Sequence, residues 1–312
     1  MPIFLRAHTE PAKPRWTPRK PDDAATDEKA PPPKWPEYAL VFDCETTIDE
    51  CQKLTLGAYQ FCRANSAGVF ECLEEGLFYP DELPTTDPDG MELLRCYVKE
   101  ETASNANDPR QRLRLLNRSE FMEEVFWKAA KNAEALLVGF NLPFDLSRLA
   151  LDNREARRRN EVWSLVMFED NHPDTGDRRE NPFRPRIIIT PKDSKTAFIR
   201  FAGVSKRSKV TKQRLIPYTP GRFLDLRTLG WALRNESYSL QTACEAFGVP
   251  GKLDHRPTGR ISDEEVAYCR QDVQSTLSLL NTLRVEFDRH PVDLQPERAY
   301  SPASIVKAYL GE

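Results

Sequence analysis

Apolar positions in this chain gather into short runs set between polar, charged or proline-bearing stretches, and the period inside each run predicts its element. The first 37 residues carry no such run. They are rich in proline and mixed charge, including Pro31–Pro33, and are read as a disordered tail. From Tyr38 to Glu45 an apolar β-type run predicts a strand, and Leu54–Cys62 and Val69–Tyr79 predict two more. The short loop through Gly68 makes those two antiparallel neighbours. Pro80–Arg110, with Pro84, Pro88, Gly90, Asn105, Asn107 and Pro109, is expected to be mainly loop. Ser119 is expected to cap a helix with an apolar face at Phe121, Val125, Ala129 and Met122, Phe126, Ala130. Ala135–Phe140 is wholly apolar, as in a buried strand.

A helix over Pro143–Arg159 and a strand over Val162–Phe168 follow. Between Asn171 and Gly221 the chain turns irregular and basic, with a hairpin expected from Ile187–Thr190 and Ala197–Phe201. Arg222–Leu226 returns to β, and Leu229–Arg234 and Ser239–Phe247 are helical, the latter stopped by Gly248. Ser262 and Glu265 predict a capping box that opens the longest helix, along which Val266, Cys269, Val273, Leu277, Leu280 and Phe287 keep helical spacing. The order predicts an α/β fold: a mixed sheet of three antiparallel strands followed by parallel ones, flanked by helices. One domain over 38–290 is expected between the tail at 1–37 and a connector with a short helix at 291–312.

Composition narrows the function classes. A hydrophobic content of 39% supports a real core, and a formal net charge of -3 excludes a uniformly basic nucleic-acid coat. The charge is unevenly spread: acids dominate from Asp43 to Glu100 and bases from Arg154 to Arg214. That asymmetry suits a protein that holds metal with one part and a polyanion with another, and solvated loop charges account for it almost as well. The seven cysteines form no Cys-x-x-Cys pair and the four histidines lie far apart, so neither a structural zinc site nor a disulfide framework is expected. No apolar stretch reaches membrane-spanning length, and Met1–Arg6 is too short for a signal-peptide core, so a soluble cytoplasmic protein without membrane contact is expected.

The chemistry rests on carboxylates placed where carboxylates are costly. Strand side chains alternate, so Asp43 and Glu45 share one face of an otherwise apolar strand. Taken alone, the pair fits a solvated edge strand. Asp145, in Asn141-Leu-Pro-Phe-Asp145, follows a buried strand and opens a helix, where open α/β sheets place ligands; alone it fits a first-turn charge. Tyr268 and Asp272, four apart, share one face of the last helix; alone they fit a packed tyrosine beside a solvated aspartate. Together the four acids make a cluster that needs cations, and oxygen donors alone suit two Mg²⁺ or Mn²⁺ ions. In-line displacement at phosphorus is the chemistry that uses such a pair.

Phe42-Asp43-Cys-Glu45-Thr-Thr, Asn141-Leu-Pro-Phe-Asp145 and Tyr268-Cys-Arg-Gln-Asp272 resemble the three motifs of the DEDD 3′→5′ exonuclease superfamily, tyrosine subgroup. The resemblance covers most of Tyr38–His290 and implies a ribonuclease-H-like fold. It implies Asp43, Glu45, Asp145 and Asp272 as metal ligands, with Asp43 bridging both ions, and Tyr268 positioning the attacking water. It implies Thr46 and Asn141 at the substrate's terminal nucleotide and Phe144 in or beside the nucleotide pocket. The long insertion before the third motif and Ser301–Leu310 are most similar to the proofreading exonuclease domain of family B DNA polymerases. A polymerase or a replication or repair assembly is therefore an expected partner, although no polymerase metal motif occurs in the chain. The implied substrate is the 3′ end of single-stranded DNA or RNA, DNA being favoured, with release of 5′-mononucleotides. An RNA-directed exoribonuclease, a ribonuclease-H-like endonuclease and a non-catalytic nucleic-acid-binding module of this fold are the alternatives.

Overall fold

The computed structural model describes residues 6–9, 34–104, 112–154, 163–171, 175–181, 183–192, 196–202, 206–207, 214–215, 221–251 and 253–311. A short strand β1 (Arg6–Thr9) precedes β2 (Tyr38–Thr46), β3 (Leu54–Ala64) and β4 (Phe70–Tyr79). Helices α1 (Leu83–Thr86) and α2 (Pro88–Ser104) lead to β5 (Arg114–Asn117). Helix α3 starts at Arg118–Glu120 and continues through Phe121–Phe126 and Lys128–Asn132 with the wider i→i+5 winding. Then come β6 (Leu136–Gly139), α4 (Leu142–Leu149), β7 (Asp152–Asn153), β8 (Trp163–Val166), β9 (Glu169–Asn171) and β10 (Arg178–Glu180). β11 (Ile187–Pro191), β12 (Thr196–Phe201), β13 (Lys206–Arg207), β14 (Arg214–Leu215) and β15 (Phe223–Asp225) complete the strands. Helices α5 (Leu226–Arg234), α6 (Leu240–Phe247), α7 (Asp263–Asp288) and α8 (Pro302–Tyr309) close the chain.

The main sheet has six strands in the order β15-β6-β2-β3-β4-β5. β2, β3 and β4 are antiparallel neighbours, β6 lies parallel to β2, and β15 lies parallel to β6. This is the predicted mixed sheet, three antiparallel strands and then parallel ones, and it is compatible with a ribonuclease-H-like fold; β5, parallel to β4, adds an edge. Alternation along β2 sends Ala39 and Val41 to one apolar layer, under α5, α6 and α7, and Leu40, Phe42 and Cys44 to the other, under α3 and α4. Asp43 and Glu45 continue the row of Ala39 and Val41, the side covered by α7.

Several expectations need correction. The expected disordered tail contains a strand: Arg6–Thr9 pairs in parallel with β12, and Thr9 Oγ1 both donates to the Phe223 carbonyl (2.5 Å) and accepts from its N–H (2.9 Å). Trp35 is also buried, its Nε1–H donating to Asp288 at 2.9 Å. Prolines 31–33 lie outside the described residues. Pro80–Arg110 is mostly helix as far as Ser104, while Asn105, Asn107 and Pro109 lie outside the described residues. Pro88 occupies a helix's first turn, where its missing N–H costs nothing, Asp87 Oδ1 accepts from the Gly90 N–H (3.0 Å), and Met91 and Leu94 pack inward.

Asn117, not Ser119, caps α3: its side chain accepts from the Glu120 N–H while Glu120 accepts from the Asn117 N–H, and the Ser119 hydroxyl serves Asp81 at 2.6 Å. The expected helix to Arg159 stops at Leu149, because Ala150 turns extended and the buried Arg118 guanidinium takes the Leu149 carbonyl; 155–159 lie outside the described residues. At Ser262 only half the capping box forms. Its hydroxyl accepts from the Glu265 N–H, but the Glu265 carboxylate turns to Thr258 and stands 3.4 Å from His255 Nε2.

The basic insertion builds its own sheet, in the order β1-β12-β11-β8-β7. The expected β11–β12 hairpin is present. Among the described residues, three arginines of the insertion are ion-paired: Arg154 with Asp152, Glu169 and Glu180, Arg184 with Glu123, and Arg186 with Glu180. These pairs tie the strands of the insertion to one another and, through Glu123, to α3. Arg157, Arg158, Arg159 and Lys195 lie outside the described residues.

Candidate metal centre

Four segments converge at the carboxyl ends of β2, β6 and β15. Asp43 and Glu45 stand opposite Ala58 and Leu56 of β3, so small and apolar partners leave their carboxylates facing α7. Ligand atoms of Asp43, Glu45 and Cys269 all lie within 4.8 Å of one another. Cys269 sits on α7 with its Sγ 3.9 Å from the Asp43 carbonyl.

Asp145 enters from the first turn of α4 and is 2% exposed. Its Oδ1 accepts from the Cys44 N–H at 3.2 Å, while its Oδ2 is buried with no hydrogen-bond partner among the described residues. Two local features put it there. Asn141 takes the left-handed conformation (φ +73°) that turns the chain from β6 into α4, a conformation asparagine tolerates better than most side chains. Gly139 leaves room, since a Cβ there would meet Asp145 Oδ2 at 3.4 Å and Leu142 Cδ1 at 3.0 Å. Asp272, on α7, is 2% exposed, and Tyr268, one turn earlier, is 7% exposed with its ring 5.2 Å from that of His255.

Electrostatics tie these groups together. The Asp145 carboxyl is pushed well above the usual range, first by burial and then by the negative charge of Asp43, with Asp225 and Glu45 adding and the Cys44 N–H opposing. Burial likewise holds the Cys269 thiol protonated, helped by Glu45, Asp43 and Asp272. Carboxylate oxygens predominate among the donors on offer and suit a hard divalent cation, with the Cys269 sulfur beside them. The cluster fits such an ion: without one, its buried acids repel each other and Asp145 keeps an oxygen without a donor.

The remaining predicted residues lie on the same strand and helix as Asp43, Glu45 and Asp145 or at their ends. Thr46 ends β2 half-buried, just past a register irregularity after Glu45. Phe144 is half-buried under the Arg148 guanidinium, 5.0 Å from its ring centre. Arg148 also donates to the carbonyls of Cys51 and Gln52, tying α4 to the loop after β2. Asn141 donates its backbone N–H to Asp225 Oδ1 at 3.4 Å.

Asp225 is the acid that sequence reasoning passed over. It pairs across from Gly139, is 2% exposed, and its side chain caps α5 by accepting from the Arg227 N–H at 2.9 Å. Burial pushes its carboxyl up to about 6, against the Asn141 and Arg227 donors. As a helix cap it gives no sign of a site; only the pairing of β15 with β6 brings it beside Asp145.

No protein-family model matches the chain, and no curated protein matches it. Among solved structures it is similar to phi29 DNA polymerase complexed with single-stranded DNA, at 13% identity and a TM-score of 0.34 over 83% of this chain. The chain spans 33% of that polymerase's length, and a likeness of this size carries no argument about function. No helix among the described residues is long and apolar enough to cross a membrane.

Proposed function

We propose that the chain is a divalent-metal-dependent 3′→5′ exonuclease of the DEDD superfamily, tyrosine subgroup, which shortens unpaired nucleic-acid 3′ ends to 5′-mononucleotides, with DNA favoured over RNA. The observation that carries this reading is the buried Asp145 carboxylate beside Asp43, with one oxygen lacking a donor. Asp43, Glu45, Asp145 and Asp272 would hold two Mg²⁺ or Mn²⁺ ions. Such ions supply Lewis-acid stabilisation of charge on attacking and leaving oxygens at phosphorus.

The chain's own groups divide the remaining work. The Tyr268 hydroxyl orients the attacking water, four residues before Asp272 on the same helical face. Asn141 and Thr46 contact the terminal nucleotide, and Phe144, backed by Arg148, offers a ring for its base. The Cys44 N–H holds Asp145 in place. A proofreading role beside a polymerase, or a role in a replication or repair assembly, is part of this proposal and rests on the motif resemblance.

Asp43→Ala tests it. Mn²⁺ should bind the wild type by isothermal titration and bind the variant far more weakly, and the variant should lose nuclease activity while keeping its circular dichroism. Full Mg²⁺-dependent digestion by Asp43→Ala would sink the assignment.

A further inference from the structure

Cys62 of β3 and Cys72 of β4 are direct partners in the antiparallel ladder, and a bulge makes them so. From Gly57↔Phe78 to Phe61↔Glu74 the strands pair in an unbroken register, which would next set Cys62 against Leu73. The ladder instead skips Leu73, which is 44% exposed, and sets Cys62 against Cys72. Residues opposite each other share a face of the sheet, so both thiols lie on the side of Phe70 and the apolar layer under α7. Helix α7 fixes both strands there. Asn281 accepts from the Phe70 N–H at 2.8 Å and donates to its carbonyl at 3.0 Å, and Gln60 Nε2 donates to Gln274 Oε1 at 3.0 Å.

Paired Cα atoms in such a ladder stand about 4.5–5.5 Å apart, inside the span of about 4.4–6.8 Å that a disulfide bridges. The two sulfurs differ in surroundings: Cys62 is buried and Cys72 is exposed. A hydrogen bond from Cys62 lowers the Cys72 thiol below its ordinary value, against burial and the charges of Glu75 and Glu74 and with help from the Glu74 backbone N–H. The same bond, together with burial, raises Cys62 well above that value. The exposed sulfur therefore carries the thiolate and the buried one keeps its proton.

We propose that Cys72 and Cys62 form an oxidation site for hydroperoxides, with Cys72 the attacking sulfur and Cys62 the resolving one. The Cys72 thiolate attacks the terminal oxygen of ROOH. The O–O bond breaks, leaving a sulfenic acid on Cys72 and RO⁻, which takes the Cys62 proton. The Cys62 thiolate then displaces hydroxide from the sulfenic sulfur and the Cys62–Cys72 disulfide forms. Each sulfur gives up one electron and the peroxide takes two. A dithiol reductant reverses the bond by exchange. Cys62 lies four residues along β3 from Ala58, the partner of Asp43, so about 13 Å of strand separates this pair from the acid cluster. The inference rests on the ladder and not on the nuclease reading.

The test uses the full chain, reduced, held in chelator to suppress metal-catalysed oxidation, and treated with stoichiometric hydrogen peroxide. Cys51 and Cys96, also exposed, are the internal comparison. Peptide mapping without reductant should find one disulfide, Cys62–Cys72, forming at least tenfold faster than oxidation at Cys51 or Cys96 and reversed by dithiothreitol. In Cys62→Ala the resolving thiol is gone, so Cys72 should accumulate as sulfenic acid that dimedone labels. Cys72→Ala, at an exposed position, should leave Cys62 reduced, and it keeps the test decisive if the core change unfolds Cys62→Ala. Oxidation of Cys72 no faster than that of Cys51 or Cys96 overturns the proposal. So does a disulfide joining any other pair, or a dimedone-labelled Cys72 that persists in the wild type.

Discussion

The backbone N–H of Cys44 donates to Asp145 Oδ1 at 3.2 Å, so the strand that carries Asp43 and Glu45 also holds the third acid in place. Gly139 makes that approach sterically open. A methyl group there would press on Leu142 and Asp145 Oδ2 at 3.0 and 3.4 Å. Gly139→Ala should therefore lower nuclease activity at least tenfold while costing only about 1–2 kcal/mol of stability. Activity and urea unfolding on the same preparation check the split.

The raised carboxyls give a pH dependence of definite sign. Asp225 is pushed up to about 6 by burial, so between about pH 4 and 6 the folded state binds more protons at this group than the unfolded state. Its contribution is greatest at low pH and is lost as pH rises through about 6. Asp225→Asn keeps an acceptor for the Arg227 and Asn141 donors and removes the charge. Relative to wild type, it should gain up to about 3 kcal/mol between pH 4 and 7 in chelator. Melting curves across that range measure it; a constant difference would contradict the burial account.

Divalent cation should offset the same repulsion. Mg²⁺ or Mn²⁺ should raise the melting temperature of wild type at pH 7.5 by several degrees, and Asp145→Asn should show a much smaller rise. Calcium-free chelated protein is the reference state for both.

Tyr268→Phe should keep the metal-induced rise in melting temperature, because the ring still packs beside His255. It should lower kcat about 10- to 100-fold with little change in KM, as expected for loss of a hydroxyl that orients water. A parallel loss of metal-induced stabilisation would show that Tyr268 acts through the fold.

Arg118 tests the packing that ends α4. Its buried guanidinium donates to the carbonyls of Leu149 and Met167. Arg118→Met leaves both carbonyls unsatisfied and should cost about 3 kcal/mol or more by denaturant unfolding.

The parts of the molecule legible beforehand were those governed by local period. Alternation in Tyr38–Glu45 placed Asp43 and Glu45 on one face, and the apolar set from Val266 to Phe287 gave the buried side of α7. Local signals with two meanings misled: Pro88 and Gly90 read as loop, yet a proline in the first turn begins a helix. Arg6–Thr9 could not be foreseen, because four residues flanked by proline-rich chain become a strand only when β12 and β15 lie beside them. Asp225 and Cys269 entered the site by tertiary packing, the first disguised as a helix cap and the second as a core residue.

Digestion of single-stranded DNA, duplex DNA and RNA oligomers labelled at either end, with Mg²⁺ and with chelator, tests the nuclease reading most directly. The account predicts a ladder shortening from the 3′ end of single-stranded DNA, 5′-mononucleotide products, and no cleavage in chelator or by Asp43→Ala. Internal cuts, shortening from the 5′ end, or no Mg²⁺-dependent cleavage of any substrate would contradict it.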